Sequence, residues 1–182
     1  MTAKNSTKQN ITQIVSQYYK YKQIQWEEPD YKREETTYFI PTETEIDNLI
    51  ASARIKMATL LQTLKETGAR LGELRQLNWT DLDLERRLIA INHAEKHSNN
   101  RILPISPKLQ AMFNQLPKAN EKVFNTNPHS LRTAFESLRN STANKLGNPR
   151  IKQIHFHTFR HYKGTMEYHK TKDIIHVKTI LG

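Results

Sequence analysis

The chain has 182 residues, enough for one domain with a real core and part of a second. It carries 28 Lys and Arg against 18 Asp and Glu, a formal net charge of +10. That balance points to a polyanionic partner, most often nucleic acid. There is no cysteine, which excludes disulfides, thiolate metal sites and thiol catalysis, and no apolar run approaches the roughly 18 residues of a membrane span.

Met1 to Asn10 is polar, has no signal-peptide core and reads as a disordered start; the expected compartment is the cytoplasm. Residues 11–25 carry Ile11, Ile14, Val15, Tyr18 and Tyr19 at helical spacing. Trp26 to Glu35, polar and holding Pro29, reads as a linker. A lone helix of this length does not hold by itself, so residues 1–37 read as a disordered start, the last helix of an otherwise absent domain, and a linker. A new unit opens at Tyr38. Thr42 with Glu45 three residues later forms a capping box, and Ile46, Leu49, Ile50 and Ala53 follow on one face. A second helix runs from Ile55 to Glu66 and closes at Gly68; a short one spans Gly72–Leu77.

The period then changes. Leu88–Ile91 and Arg101–Ile105 read as strands joined through Ser98-Asn99-Asn100, with Pro104 placing the second strand at an edge or bulge. Helical pattern resumes at Pro107–Leu116 and Pro128–Leu146, Gly147-Asn148-Pro149 breaks the chain, and helices at 157–169 and 172–181 complete it. The fold class is α+β, mainly α. Residues 141–182 hold eight basic residues against Glu167 and Asp173, and five of the eight histidines, so this end is the more electropositive.

Three segments carry residues suited to phosphodiester chemistry: Thr67-Gly68-Ala69-Arg70-Leu71-Gly72-Glu73-Leu74, Glu95-Lys96-His97, and His155-Phe156-His157-Thr158-Phe159-Arg160-His161. Phosphoryl transfer builds charge on the non-bridging oxygens, and fixed donors must meet it. Arginine binds two phosphate oxygens and stays charged; a hairpin lysine can protonate a leaving oxygen, and a histidine can move the nucleophile's proton. Taken alone, Arg70 reads as a helix-start arginine paired with Glu73, and Lys96 as a solvated loop lysine for which Lys108 or Lys122 could be mistaken. His157 and His161, at i and i+4, could face a metal, but no glutamate stands in the motif position and no cysteine is present. His155 and His169 read as surface residues, and Phe156, Phe159, Ile174, Ile175, Val177, Ile180 and Leu181 as packing residues.

In this order the segments resemble the tyrosine recombinases, the phage-integrase family, over about residues 38–182. The stretch from His157 to Gly182 is most similar to archaeal integrases. The resemblance implies an integrase-type catalytic domain with a small three-stranded antiparallel sheet. It implies Arg70, Lys96, His157 and Arg160 as catalytic residues, with Glu73 and His161 in support. It also implies double-stranded DNA as partner, self-association on DNA, and neither metal nor cofactor. The expected activity is site-specific DNA cleavage and rejoining through a 3′-phosphotyrosyl bond, in the integration or excision of a mobile element. Val177–Gly182 resembles the stretch just before the family's last His or Trp, so the nucleophilic tyrosine is expected beyond Gly182 and the catalytic domain is incomplete at that end. Tyr162 and Tyr168 are not expected to replace it: the first faces away from Arg160, and the second lies eight residues on, about 12 Å along a helix. A catalytically inactive DNA-binding remnant is the alternative, and a type IB topoisomerase a further one.

Overall fold

The computed structural model describes residues 5–31, 37–95 and 98–182. The chain folds as two compact units, Met1–Tyr38 and Phe39–Gly182. In the first, helix α1 spans Asn5–Tyr21. Residues 5–10 are therefore helical, not disordered: a polar segment continues a helix once the turns after it are formed, because each added residue gains a backbone bond without a new nucleation step. Thr12 Oγ1 also donates back to the Lys8 carbonyl at 2.9 Å. The start of the expected linker folds onto α1: Trp26 stacks on Tyr19 at 4.8 Å and donates to Ser16 Oγ at 3.0 Å.

The second unit opens with α2 (Glu43–Ala51), fixed by the capping box. Glu45 N–H donates to Thr42 Oγ1, and Thr42 N–H to Glu45 Oε2. Ile46, Leu49 and Ile50 are buried and Ala53 packs against them. Glu45 also accepts from Arg150 Nε (2.8 Å) and Asn148 Nδ2 (3.1 Å), tying α2 to the turn 103 residues away in sequence. Helix α3 (Ile55–Thr67) is buried nearly all round and ends at Gly68, whose φ of 62° is open to glycine at little cost. Helix α4 (Leu71–Gln76) follows at once.

The sheet is antiparallel, in the order β1-β2-β3, from Leu82–Asp83, Leu88–Ile91 and Arg101–Pro104. Ile89, Ile91 and Leu103 turn to the core by strand alternation. Pro104 closes edge strand β3 opposite Leu88, where a missing N–H is tolerated. β1 has two residues, too few to show a period, and the 3₁₀ turns at Trp79–Asp81 and Pro149–Gln153 carry none either.

Helices α5 (Pro107–Asn114) and α6 (Pro128–Leu146) both begin with proline at the first position behind a side-chain cap, Ser106 and Asn127. Helix α7 (Phe156–Thr171) lies along α3 and buries Phe159 and Tyr162, while α8 (Ile174–Leu181) lies on α7. Gly164 permits that approach: a Cβ there would stand 3.2 Å from Leu181 Cδ1. The core thus holds the end of α3, the start of α4, β3 and the start of α7 in one place. Among the described residues no helix is long and apolar enough to cross a membrane.

Candidate nucleic-acid interface and active site

The buried Glu73 carboxylate organises the site. Arg70, as N-cap of α4, donates its backbone N–H to Glu73 Oε2 (2.8 Å) and its Nη1 to Glu73 Oε1 (3.2 Å). Arg101, 5% exposed at its side chain, enters from β3 and donates Nη2 to Oε2 at 2.8 Å. Burial pushes the Glu73 carboxyl up, but the hydrogen bonds from Arg101 and the Arg70 N–H and the Arg101 charge outweigh it, so Glu73 stays below its ordinary value and ionised at neutral pH. The β2–β3 connection reaches the same arginine: Arg70 Nη1 also donates to the Glu95 carbonyl at 3.1 Å and to Ser98 Oγ. Lys96 and His97 lie outside the described residues.

Arg160 comes from the second turn of α7 and donates Nη1 to the Gly68 carbonyl at 3.0 Å, two residues from Arg70. Burial, then the charges of Arg70 and Arg101, pull its pKa down to about 10, with Glu73 opposing. Arg160 is still protonated at pH 7, but it feels the charges of Arg70 and Arg101, and one carboxylate does not neutralise three guanidiniums. An anion brought to this spot is met by unspent positive charge in a partly desolvated setting, the condition under which fixed donors act most strongly.

His157 is exposed at the start of α7. It lines a cleft with Arg70, Arg132, Arg139 and His155, and an adjoining groove with Arg160, His161 and Tyr168. Its ring meets that of His161 edge-on at 4.6 Å. Arg70, His157, Arg160 and His161 are thus brought to one side of the unit. Lys108 and Lys122, the rival lysines, line neither cleft; Lys122 bonds to Gln76 instead. Tyr162 is a buried core residue, and burial first, then Glu43, push its phenol up. Tyr168 is exposed and does share the groove with Arg160, which helix-axis spacing alone did not indicate. Among the described residues no three His, Asp or Glu side chains gather as a metal site.

Two residues escaped sequence reading. Arg101 begins a strand, where an arginine normally faces water; its alternation with Leu103 was the one signal that it points inward. His155, read as a surface residue, is exposed yet lines the cleft.

Residues 41–182 match the phage integrase family. The chain belongs to that family. Its fold is that of the tyrosine recombinase catalytic domain. It is similar to the XerA recombinase (20% identity, TM-score 0.66, covering 98% of this chain and 68% of that one). It is also similar to the Tn1549 transposon integrase in complex with transposon right end DNA (16%, 0.72, 92% and 67%). XerH bound to its difH substrate is a third match (23%, 0.69, 97% and 58%). No curated protein sequence matches the chain.

Proposed function

We propose that this integrase chain carries the phosphate-gripping and proton-transfer groups of a site-specific DNA recombinase. The observation that supports this most is the meeting of Arg70, from the start of α4, with His157 and Arg160, from the first two turns of α7, around one positively charged spot, backed by the Glu73–Arg101 pair. Arg70 and Arg160 take the non-bridging oxygens of the scissile phosphate from two sides. His157 accepts the attacking phenol's proton or donates to the phosphate, with His161 packed against it. Lys96 is the general acid by position. The attack forms a P–O bond to tyrosine and breaks the P–O bond to the 5′ oxygen, which leaves with the proton from Lys96. One phosphodiester replaces another, so rejoining is the reverse step by a new 5′ hydroxyl and needs no energy source.

We assign the nucleophile to a tyrosine outside residues 1–182, since Tyr162 is buried and Tyr168, though it shares the groove, lies eight residues past Arg160, about 12 Å along the axis of α7. Residues 1–37 then supply the end of a DNA-clamping domain, and duplex DNA in the cytoplasm is the partner, with self-association on it. The test is a nicked suicide substrate, followed by denaturing electrophoresis. A protein extended beyond Gly182 should give a covalent band that is lost on Arg160→Ala; residues 1–182 should give none. Duplex binding with no band from the extended protein would favour the inactive DNA-binding remnant. A band from residues 1–182, lost on Tyr168→Phe, would move the nucleophile into the groove beside Arg160.

A further inference from the structure

The cleft beside Arg70 contains a histidine held in one tautomer. Arg139, part buried on α6, shares the two hydrogens of its Nη1 among the carbonyls of Lys152 (2.9 Å) and Ile154 (2.7 Å) and the Nδ1 of His155 (3.0 Å). Its guanidinium lies over the Phe135 ring, which in turn stacks on Phe156 at 4.2 Å, so the arrangement is anchored on both sides. A guanidinium has no acceptor, so Nδ1 must be the acceptor and the imidazole proton sits on Nε2. Burial and the Arg139 charge lower the His155 pKa in the same sense. The ring is exposed at the N-terminal end of the 16-residue α7, in the cleft that Arg70, Arg132 and His157 line. Glu95 and Glu136 also face this cleft, so it holds two acids against three arginines.

We propose that His155 is a DNA-phosphate ligand, a neutral imidazole whose Nε2–H donates to the phosphate next to the one taken by Arg70, His157 and Arg160. Arg139 is the positioning residue that fixes this tautomer. The idea rests on the reading of the chain as a DNA recombinase. It explains why an arginine is used on a histidine at the edge of a basic cleft: an imidazolium there would be repelled by Arg139, whereas a neutral ring with a fixed proton binds an anion without that cost.

A neutral ligand and a cationic one differ in a measurable way. A neutral donor releases no counterion, while each cation that neutralises a phosphate contributes about −0.9 to the slope of log K against log salt. Duplex binding is measured across salt for the wild type, His155→Phe and His155→Gln, with circular dichroism as the folding check. His155→Phe should weaken binding about tenfold, as for loss of a hydrogen bond to a charged group, with the slope unchanged. His155→Gln, which keeps an N–H near the Nε2 position, should recover most of the affinity. Imidazole ¹⁵N spectra of the DNA-free protein at pH 7 should show His155 as the Nε2–H tautomer, and Arg139→Met should mix the tautomers. A slope smaller by about 0.9 in His155→Phe, an unchanged affinity, or an Nδ1–H or doubly protonated His155 would each overturn the proposal. If the wild type fails to bind duplex, or Arg160→Ala binds with the same affinity and salt slope, the recombinase reading falls as well. If Arg160 matters and His155 does not, only this inference falls.

Discussion

Replacing Glu73 with glutamine removes one negative charge from the middle of the arginine cluster and changes almost no volume. The amide can keep only one acceptor. Its best orientation leaves the oxygen on the two 2.8 Å bonds, from the Arg70 N–H and Arg101 Nη2, and turns the NH₂ toward Arg70 Nη1 and Arg101 Nη1, which are themselves donors. The Glu73 side chain is fully buried and that of Arg101 nearly so. Breaking a buried pair from one side costs about 3–5 kcal/mol, and the surviving bonds place the loss near the lower end, about 3 kcal/mol. For a chain of this size that is a fall in Tm of about 6–12 °C, at about 2–4 °C per kcal/mol. The pH dependence carries a second signature. Glu73 is depressed in the fold, so its contribution is complete above its ordinary value of 4.5 and is lost as pH falls through the lower folded value. The gap between wild type and Glu73→Gln should therefore be full at pH 7 and narrow in acid. Glu45 and Glu167, also depressed, titrate alike in both proteins and cancel from the difference. Thermal melts by circular dichroism at pH 7 and in a series below pH 4.5 would show it. A Tm at pH 7 within about 2 °C of wild type, or a gap that widens in acid, would refute the account of Glu73 as an ionised, load-sharing partner of both arginines.

Thr42→Ala should cost about 1 kcal/mol by removing the α2 cap, read from urea denaturation; no loss would mean that the Glu45–Arg150 contact alone holds the helix start. Gly68→Ala should lower stability by about 1–2 kcal/mol, since the residue sits at φ 62° and its Cβ would press on Leu181 and Lys163. A neutral effect in the same denaturation assay would mean that α8 moves aside freely. Arg70→Ala and Arg160→Ala should each reduce the salt slope of duplex binding by about one, because both are read as phosphate contacts; a titration with unchanged slopes would place the DNA elsewhere.

The local code of this chain was legible because it acts over a few residues. The Thr42–Glu45 box, Gly68 and Gly147 at helix ends, proline at the first turns of α5 and α6, and Pro104 at a sheet edge each do locally what their chemistry dictates. The order of Arg70, His157 and Arg160 is likewise visible along the chain, and the fold brings these side chains to one side of the unit, as their proposed phosphate role requires. What could not be read is what comes together without adjacency. Glu73 reads, in the sequence, as the partner of Arg70, its neighbour three residues away; that it also holds Arg101, 28 residues on, depends on the register of β3 against β2. Register is fixed by Leu103 facing inward, and the same alternation forces Arg101 inward with it. Its burial requires a carboxylate, which Glu73 supplies at the start of α4. The proposed phosphate site then follows from packing: one buried acid satisfies parts of two arginines, a third arginine lies within their field, and the surplus positive charge faces the cleft where, on this proposal, the backbone of a nucleic acid neutralises it.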